Sequence, residues 1–343
     1  MNICIIGGGF YGCFLATKFS DKNKITLFEK SSEIFGKSSA IMNNQHRLHI
    51  GYHYPRSVNT IDQTIECYHK FLNEFGDFCF IPNNNYYLIH KDSKVSKFDF
   101  LNLYKEKELK FEEVDIQSVD ILNKDQFECV IKTEEGVISN SSLKSYFEKS
   151  ISNNENISLV FDKTIKDDDI DVLKEQYDLV INCTYNYPNI GLKNPIDIKH
   201  EYCALLLVKD TFDKNDCFTI MDGNFVSVYS TDGGYHTISS VLNTPFFKTK
   251  SLKDDIKYDD ILSEYENSNS KQLIIDDVRR FFDIKDENII GEYLTLKTKI
   301  SNDEVDDNRE SMIFVEDNYV SILCGKISAV YDIHSQIKDK FNI

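Results

Sequence analysis

Three glycines and one carboxylate near the start of the chain have the spacing of a dinucleotide-binding site. Gly7, Gly9 and Gly12 follow a short apolar run, and the next acidic strand end comes 17 residues later, at Glu29. Gly7 would allow a tight turn, Gly9 would let a pyrophosphate approach the backbone, and Gly12 would let a helix pack closely on a strand. A carboxylate such as Glu29 can accept hydrogen bonds from both hydroxyls of an adenosine ribose. The pattern therefore predicts that this end of the chain binds an adenine dinucleotide.

The segments around the glycines predict a strand, a helix and a second strand. Residues 2–6 and 25–28 are short apolar runs, and a helical run through Phe19 lies between them. In such a unit the phosphates bind at the free N–H groups of the helix start, where the helix dipole favours negative charge. Glu29 at the end of the second strand also disfavours the 2′-phosphate of NADP. The alternative is a glycine-rich turn followed by a solvated glutamate.

A polar loop follows Glu29 and differs from the next helix of a simple NAD-binding domain. Residues 38–47 are too polar and irregular for that helix. Their donors and acceptors suit the ribityl chain and the polar ring edge of a flavin. These groups belong to Ser38, Ser39, Asn43, Asn44, Gln45 and Arg47. The loop therefore favours a flavin dinucleotide.

Together, the glycine motif and this loop resemble the FAD-dependent oxidoreductases of the D-amino acid oxidase and glycine oxidase superfamily. The resemblance continues through residues 134–151, 157–165, 177–186 and 306–333, which look like later segments of the family's nucleotide domain. It implies FAD as cofactor and an α/β fold. A Rossmann-like FAD-binding domain of the glutathione-reductase type would be joined to an α+β substrate domain built on an antiparallel sheet. The FAD contacts that the resemblance implies are Gly7, Gly9, Phe10, Tyr11, Gly12, Glu29, Lys30, Ser38, Ser39, Asn44, Gln45, Arg47, Thr184, Gly325, Lys326 and Ile327.

Two segments near the implied flavin site have a second interpretation. Relatives place a small Ala-Ala-Gly turn after the last strand of the nucleotide domain, and this chain has Cys183, Thr184 and Tyr185 there. Gly325 would meet the flavin, but it can equally be a plain turn glycine. The changed turn leaves open a non-catalytic protein that binds NAD through Glu29 as a sensor.

The resemblance also implies residues on the substrate side of the flavin. Arg309 precedes the C-terminal strand, where family members that act on amino acids clamp the substrate carboxylate with an arginine. Tyr229 and Tyr235 lie in a predicted hairpin that faces the flavin in the family, where a hydroxyl can bind substrate. The alternatives are a surface arginine in an acidic loop and tyrosines that only pack in the sheet.

Three histidines follow the polar loop. His46, His49 and His53 are close in sequence, but no cysteine or carboxylate nearby completes a metal-binding pattern. We therefore expect no metal, and His53 is a candidate for the polar wall of the active site. The alternatives are hydrogen-bonded packing of the loop and a covalent link from histidine to the flavin, as in some relatives.

The same resemblance predicts a discontinuous domain organisation. The FAD-binding domain would combine residues 1–85, 135–195 and 305–343. Residues 86–134 and 196–304 would form the substrate domain. The second of these segments contains alternating and apolar runs separated by Asp, Asn and Gly, which is typical of an antiparallel sheet.

Composition limits the classes of partner. The chain has 343 residues, of which 41% are apolar, and its 56 acidic and 39 basic residues give a formal charge of −17. This charge repels phosphate backbones and anionic membranes, so a small molecule is the expected partner and nucleic acid is not. No apolar run is long enough to span a bilayer. Nine scattered cysteines without a C-x-x-C pair favour a reducing, cytoplasmic location.

These features predict an FAD-dependent oxidoreductase that dehydrogenates a small amine, amino acid or amino sugar, with hydride transfer to flavin N5. The C–N bond is the expected site of oxidation. One alternative is a flavin-dependent mutase of nucleotide sugars, and the scarcity of arginines counts against its diphosphate clamp. The other alternative is the NAD-binding sensor.

Overall fold

The computed structural model describes residues 1–36, 39–252, 256–301 and 309–343. The strands in this part of the chain are β1 (Asn2–Ile6), β2 (Lys24–Phe28), β3 (Arg47–Leu48), β4 (Cys79–Phe80), β5 (Asn84–His90), β6 (Glu112–Val114), β7 (Phe127–Lys132), β8 (Gly136–Ile138), β9 (Ile157–Val160), β10 (Leu179–Asn182), β11 (Ile198–Val208), β12 (Asp216–Met221), β13 (Val226–Ser230), β14 (His236–Ser240), β15 (Pro245–Thr249), β16 (Ile289–Ile300), β17 (Met312–Glu316) and β18 (Tyr319–Leu323). The helices are α1 (Phe10–Phe19), α2 (Val58–Phe75), α3 (Lys97–Glu106), α4 (Asn140–Ser152), α5 (Asp169–Gln176), α6 (Tyr258–Glu266), α7 (Ser270–Arg279) and α8 (Val330–Phe341).

The first large sheet has six strands in the order β17-β18-β10-β1-β2-β9. All neighbouring pairs are parallel except β17 and β18. Ile3 and Ile5 of β1 belong to one apolar cluster, whereas Cys4 and Ile6 belong to another on the opposite face. Both faces of this strand are covered, which explains why its sequence is a continuous apolar run. The predicted Rossmann-like domain is confirmed.

The second large sheet has the order β15-β11-β14-β13-β12-β5-β7-β6, and β16 pairs with β11. Its pairs are antiparallel apart from β5 and β12, which run parallel. Side chains of α6 and α7, such as Ile261, Ile274 and Val278, share an apolar cluster with this sheet. The predicted second domain on a largely antiparallel sheet is therefore present. Its boundaries stay a prediction, and β5 begins at Asn84, next to the boundary expected after residue 85.

A small third sheet carries part of the site. Its order is β3-β8-β4, and Arg47 of β3 lies opposite Val137 of β8. None of the described helices is long and apolar enough to cross a membrane.

Candidate active site

The three glycines of the motif have three different environments. Gly7 has φ +102°, and a Cβ atom there would lie 2.9 Å from the carbonyl oxygen of Cys183. At Gly12 a Cβ atom would lie 1.9 Å from the carbonyl oxygen of Gly7, so helix α1 packs tightly on the turn. At Gly9 the nearest contact would be 3.7 Å away, at the Ser39 hydroxyl. The first and third glycines therefore shape the turn, and the middle one leaves room for a ligand.

The end of β2 and the start of α1 offer complementary groups. Gly9 is the N-cap of α1 and makes no side-chain capping bond, and no acidic residue occupies the first turn. The Oε2 atom of Glu29 accepts from the Gly8 N–H at 2.6 Å, and Oε1 accepts from the Ser31 N–H at 2.8 Å. Each carboxylate oxygen keeps a lone pair for a further donor. A pyrophosphate at the helix start and a ribose at Glu29 fit these groups.

One cavity of about 600 Å³ extends from the glycine motif to the wall of the second sheet. Gly12 lies within α1 rather than on the cavity wall, and Ser38 lies outside the described residues. The other predicted FAD contacts all line the cavity: Gly7, Gly9, Phe10, Tyr11, Glu29, Lys30, Ser39, Asn44, Gln45, Arg47, Thr184, Gly325, Lys326 and Ile327. The structure thus brings together residues 7–47, Thr184 and residues 325–327, three regions that are far apart in sequence.

Positive charge is concentrated in this cavity. Nine of the described residues that line it are Lys or Arg, and four are Asp or Glu, although the chain as a whole has a formal charge of −17. A cavity walled by cations in an acidic protein attracts anionic ligands and repels cationic ones. The cavity therefore suits an anionic cofactor together with an anionic substrate.

Arg47 is the most unusual of these cations. Its side chain is 6% exposed, and none of its three guanidinium nitrogens has a hydrogen-bond partner in the part of the chain that the structure describes. The guanidinium carbon lies 4.1 Å from the centroid of the Tyr229 ring, a cation–π contact. A buried guanidinium without polar partners is costly, so its donors are available to a bound anion.

Lys326 faces the same space from the C-terminal turn. Its ammonium lies 4.2 Å from the centroid of the Tyr54 ring. Burial, with a smaller contribution from the Arg47 guanidinium, lowers the pKa of Lys326 to about 7. The turn itself is fixed by Ser311, whose hydroxyl accepts from the Gly325 N–H at 2.8 Å and contacts the Tyr11 hydroxyl. Gly325 is required because a Cβ atom there would overlap the Arg309 carbonyl.

The histidines divide into two groups. His49 and His53 both line the cavity, with ring centroids 5.3 Å apart. His46 also lines it, but its Nδ1 atom lies 3.8 Å from Asp232. Within the described ranges, no group of three His, Cys, Asp or Glu side chains could hold a metal ion. His53 stays a candidate wall residue of the active site.

The predicted substrate residues occupy different places. Arg309 lines the cavity, and its backbone N–H donates to the Thr60 hydroxyl at 3.0 Å. Tyr229 is fully buried beneath Arg47, and its hydroxyl donates to the Gly136 carbonyl. Tyr235 does not line the cavity, and its hydroxyl forms a hydrogen bond with the Tyr293 hydroxyl.

Neither tyrosine thus lies on the cavity wall, and a role of either in substrate binding stays a prediction. The hairpin of β13 and β14 meets the cavity at its other end, through Ser227 and Ser239. Because a strand exposes alternate side chains on opposite faces, its position near a site does not tell which residues reach it.

Two features of the site were missed from the sequence. Glu135 is fully buried behind the cavity and contacts His49. Arg56 and Asp222 form an ion pair of 2.7 Å on the cavity wall. Neither pair has a local sequence signal, because the partners are distant in the chain.

Comparison with known proteins agrees with this geometry. Residues 5–71 match the family model of the NAD(P)-binding Rossmann-like domain. The chain is 27% identical to the FAD-dependent monooxygenase FPY4 of Fusarium mangiferae over 98% of its length and 90% of that protein.

Two solved structures are similar in fold. The L-α-glycerophosphate oxidase of Mycoplasma pneumoniae with FAD bound has a TM-score of 0.72 at 13% identity, over 100% of this chain and 94% of that one. The glycine oxidase of Geobacillus kaustophilus has a TM-score of 0.66 at 9% identity, over 98% of this chain and 93% of that one. The predicted fold, a Rossmann-like domain joined to a second sheet domain as in glycine oxidase, is confirmed. The comparisons also support the predicted FAD cofactor and the oxidoreductase class.

Proposed function

We propose that this chain is an FAD-dependent oxidoreductase that oxidises a small carboxylate-bearing amine, such as an amino acid or an amino sugar acid, at its C–N bond. The observation that carries the proposal is the continuous cavity. One end has the glycine motif and Glu29, and the other holds the buried, unpaired guanidinium of Arg47. A site that bound only a dinucleotide would not need a buried guanidinium whose donors have no partner among the described residues.

The residues at the motif end fit FAD. The open space over Gly9 and the free N–H groups at the start of α1 would receive the pyrophosphate, and Glu29 would receive the adenosine ribose. Gln45 on the polar loop and Lys326 on the C-terminal turn line the continuation of the cavity, where the flavin ring would lie. When bound, FAD would supply a two-electron acceptor that takes a hydride at N5.

The residues at the other end would bind and orient the substrate. Arg47 can donate two parallel hydrogen bonds to a carboxylate, and the nearby Lys326 can add a second positive charge. Arg309 remains the candidate that the family resemblance suggested for the same role, and it lines the same cavity. Holding the carboxylate fixes the neighbouring carbon, so that its C–H bond can point at the cofactor.

Absorption spectroscopy tests the cofactor. Purified protein should be yellow with two visible absorption bands, and heat-released cofactor should chromatograph as FAD. Glu29→Gln should lower the FAD content. The side-chain amide NH₂ would face one of the two backbone N–H groups, of Gly8 and Ser31, that now donate to the Glu29 carboxylate. Glu33→Gln, at an exposed position on the same loop, is the matched control. A colourless protein that binds only NAD would reject the proposal in favour of a sensor.

Anaerobic reduction tests the reaction. A panel of amino acids, amines and amino sugars should include compounds that bleach the visible spectrum, and those with a carboxylate should act fastest. The product should carry a carbonyl in place of the amine after hydrolysis. If a nucleotide sugar is converted without bleaching, the mutase alternative is supported instead.

A further inference from the structure

A carboxylate lies fully buried directly behind the cavity wall. Glu135 is 0% exposed and accepts hydrogen bonds from the Tyr87 hydroxyl at 2.6 Å and from the Ile50 N–H at 3.3 Å. The third group in contact with it is Nδ1 of His49, at 3.2 Å. Burying a carboxylate is unfavourable unless it accepts hydrogen bonds, and these three contacts provide the stabilisation that Glu135 needs.

The contact with Glu135 determines which nitrogen of His49 is available. Burial raises the pKa of the Glu135 carboxyl, while the Arg47 guanidinium and the Tyr87 hydroxyl act in the opposite direction. In its ionised form Glu135 can only accept a hydrogen bond, and Nδ1 of His49 then carries the proton. The His49 ring lines the cavity, and its Nε2 atom makes no hydrogen bond to any residue in the described ranges. His49 therefore presents an unprotonated ring nitrogen to the space where the substrate would bind.

Burial and the cations around His49 both favour its neutral form before substrate binds. Burial and the neighbouring cations Lys326, Arg47 and Lys297 lower the pKa of His49 well below its usual value. The ring of His53 lies beside it, and burial also lowers the pKa of His53 well below its usual value. A neutral imidazole can accept a proton, whereas an imidazolium cannot.

We infer that His49 accepts a proton from the bound substrate at Nε2, and that Glu135 is the positioning residue that holds His49 in the required tautomer. This inference rests on the proposed function. An amino acid arrives mainly with a charged ammonium group, which the cations of this cavity destabilise. One substrate N–H bond breaks and one N–H bond forms at Nε2, which leaves a neutral amine.

Glu135 also stabilises the positive charge that His49 acquires when it accepts the proton. After the transfer, the imidazolium of His49 lies 3.2 Å from the buried carboxylate, which offsets the repulsion by Arg47 and Lys326. The neutral amine has the free electron pair that forms the C=N bond when the C–H hydride leaves. His49, held by Glu135, can accept a hydroxyl proton in the same way, so hydroxy acids belong in the substrate panel.

Nitrogen NMR of the FAD-loaded protein tests the tautomer without any substrate. With ¹⁵N-histidine labelling, the His49 signals, assigned by their loss in His49→Gln, should show a neutral ring protonated at Nδ1 at pH 7. Glu135→Gln should convert part or all of the population to the Nε2-protonated form. Glu134→Gln, exposed and adjacent in sequence, should leave the signals unchanged. A His49 ring protonated at Nε2, or at both nitrogens, in the unmodified protein would overturn the inference.

Anaerobic stopped-flow reduction tests the proton transfer. His49→Gln should slow flavin reduction by the best compound of the panel by about 10²- to 10⁴-fold. Added imidazole should partly restore the rate of His49→Ala. The apparent second-order rate constant of flavin reduction should fall at low pH, because this constant reports protonation of the base in the free enzyme. This acidic limb should disappear in His49→Gln. His69→Gln on the exposed face of α2 is the control.

The outcomes separate this inference from the proposed function. If the wild-type flavin is bleached by panel compounds and His49→Gln reacts at the same rate, the inference is wrong while the proposed function stands. If no panel compound bleaches the wild type, the proposed reaction is wrong, and the NMR result still decides the tautomer.

Discussion

Replacing Arg47 by methionine should weaken carboxylate binding by at least about a hundredfold in a protein that still folds. Methionine keeps much of the length of the arginine stem but removes the positive charge and every donor. In the protein without substrate, the guanidinium has a cation–π contact with Tyr229 and no hydrogen-bond partner among the described residues. The substitution therefore removes a group whose polar capacity is unused until an anion binds.

The size of the effect on binding follows from the bonds that are lost. A hydrogen bond to a charged group contributes about 1.5–3 kcal/mol, so two parallel bonds from Arg47 contribute at least about 3 kcal/mol. At about 1.4 kcal/mol per factor of ten, the dissociation constant of a carboxylate should rise by at least about a hundredfold. The free energy of unfolding should fall, because about 2 kcal/mol of cation–π energy is lost and the buried Glu135 carboxylate loses the Arg47 charge that lowers its pKa; relief of burying the guanidinium offsets only part of this.

The assay is a titration of the FAD-loaded protein with acetate, followed by the change in the visible flavin spectrum. Thermal unfolding of the same samples measures stability. Arg280→Met is the matched control, because Arg280 also lies over an aromatic ring, 5.2 Å from the centroid of Phe281, but at the surface. An acetate affinity within threefold of wild type, with FAD retained, would refute the assignment. Loss of FAD with normal acetate binding in reconstituted protein would instead support Arg47 as a cofactor contact.

Further predictions concern the cofactor, the pH dependence and the packing. Gly9→Ala should fold but bind less FAD, because its methyl group would occupy the open approach to the helix start; circular dichroism and the ratio of visible to ultraviolet absorbance measure the two effects. Gly12→Ala should fail to fold as a soluble flavoprotein, because its Cβ atom would overlap the Gly7 carbonyl. Carboxylate affinity should weaken as the pH rises through about 7, because burial and its arginine neighbour lower the pKa of Lys326 to about 7 and only the charged ammonium attracts an anion. Tyr229→Phe should cost about 1 kcal/mol of unfolding free energy through loss of its hydroxyl hydrogen bonds, with FAD content unchanged.

Each of these predictions has a result that contradicts it. Equal FAD content in Gly9→Ala and wild type would place the phosphates elsewhere. A soluble, yellow Gly12→Ala protein would show that α1 is not packed on the turn as described. Lys326→Met should lose the pH dependence, so an unchanged profile in that variant would assign the titration to another group. A large fall in turnover of Tyr229→Phe at unchanged stability would restore Tyr229 as a substrate contact.

The nucleotide end of the site was predictable because its determinants are local. The turn at Gly7, the contact of Gly12 with the turn and the apolar run of β1 involve residues that are close in sequence. Glu29 is positioned by the next strand of the same unit. The residues of this single strand–helix–strand unit therefore predict both its fold and the class of ligand that it binds.

The substrate end was only partly predictable because it is assembled by tertiary contacts. The family resemblance predicted Arg47 and Lys326 as cofactor contacts, but nothing in the sequence predicted that the two cations lie close enough to interact. The contact of His49 with Glu135 joins residues 86 positions apart, and neither has a motif around it. The strands of the tyrosine hairpin were expected to face the flavin, and the structure places Ser227 and Ser239 of this hairpin, rather than Tyr229 and Tyr235, on the cavity wall.

The sequence by itself determined the class of fold, the dinucleotide motif and the acidic character of the chain, because glycine conformation, strand hydrophobicity and net charge depend on residue type and spacing alone. Only the tertiary structure decided that cations from distant segments converge in one cavity of this acidic protein, and that a buried carboxylate lies behind one histidine. The physical reason is that burial and charge pairing depend on which strands become neighbours, and the chain's local periodicity does not encode that pairing.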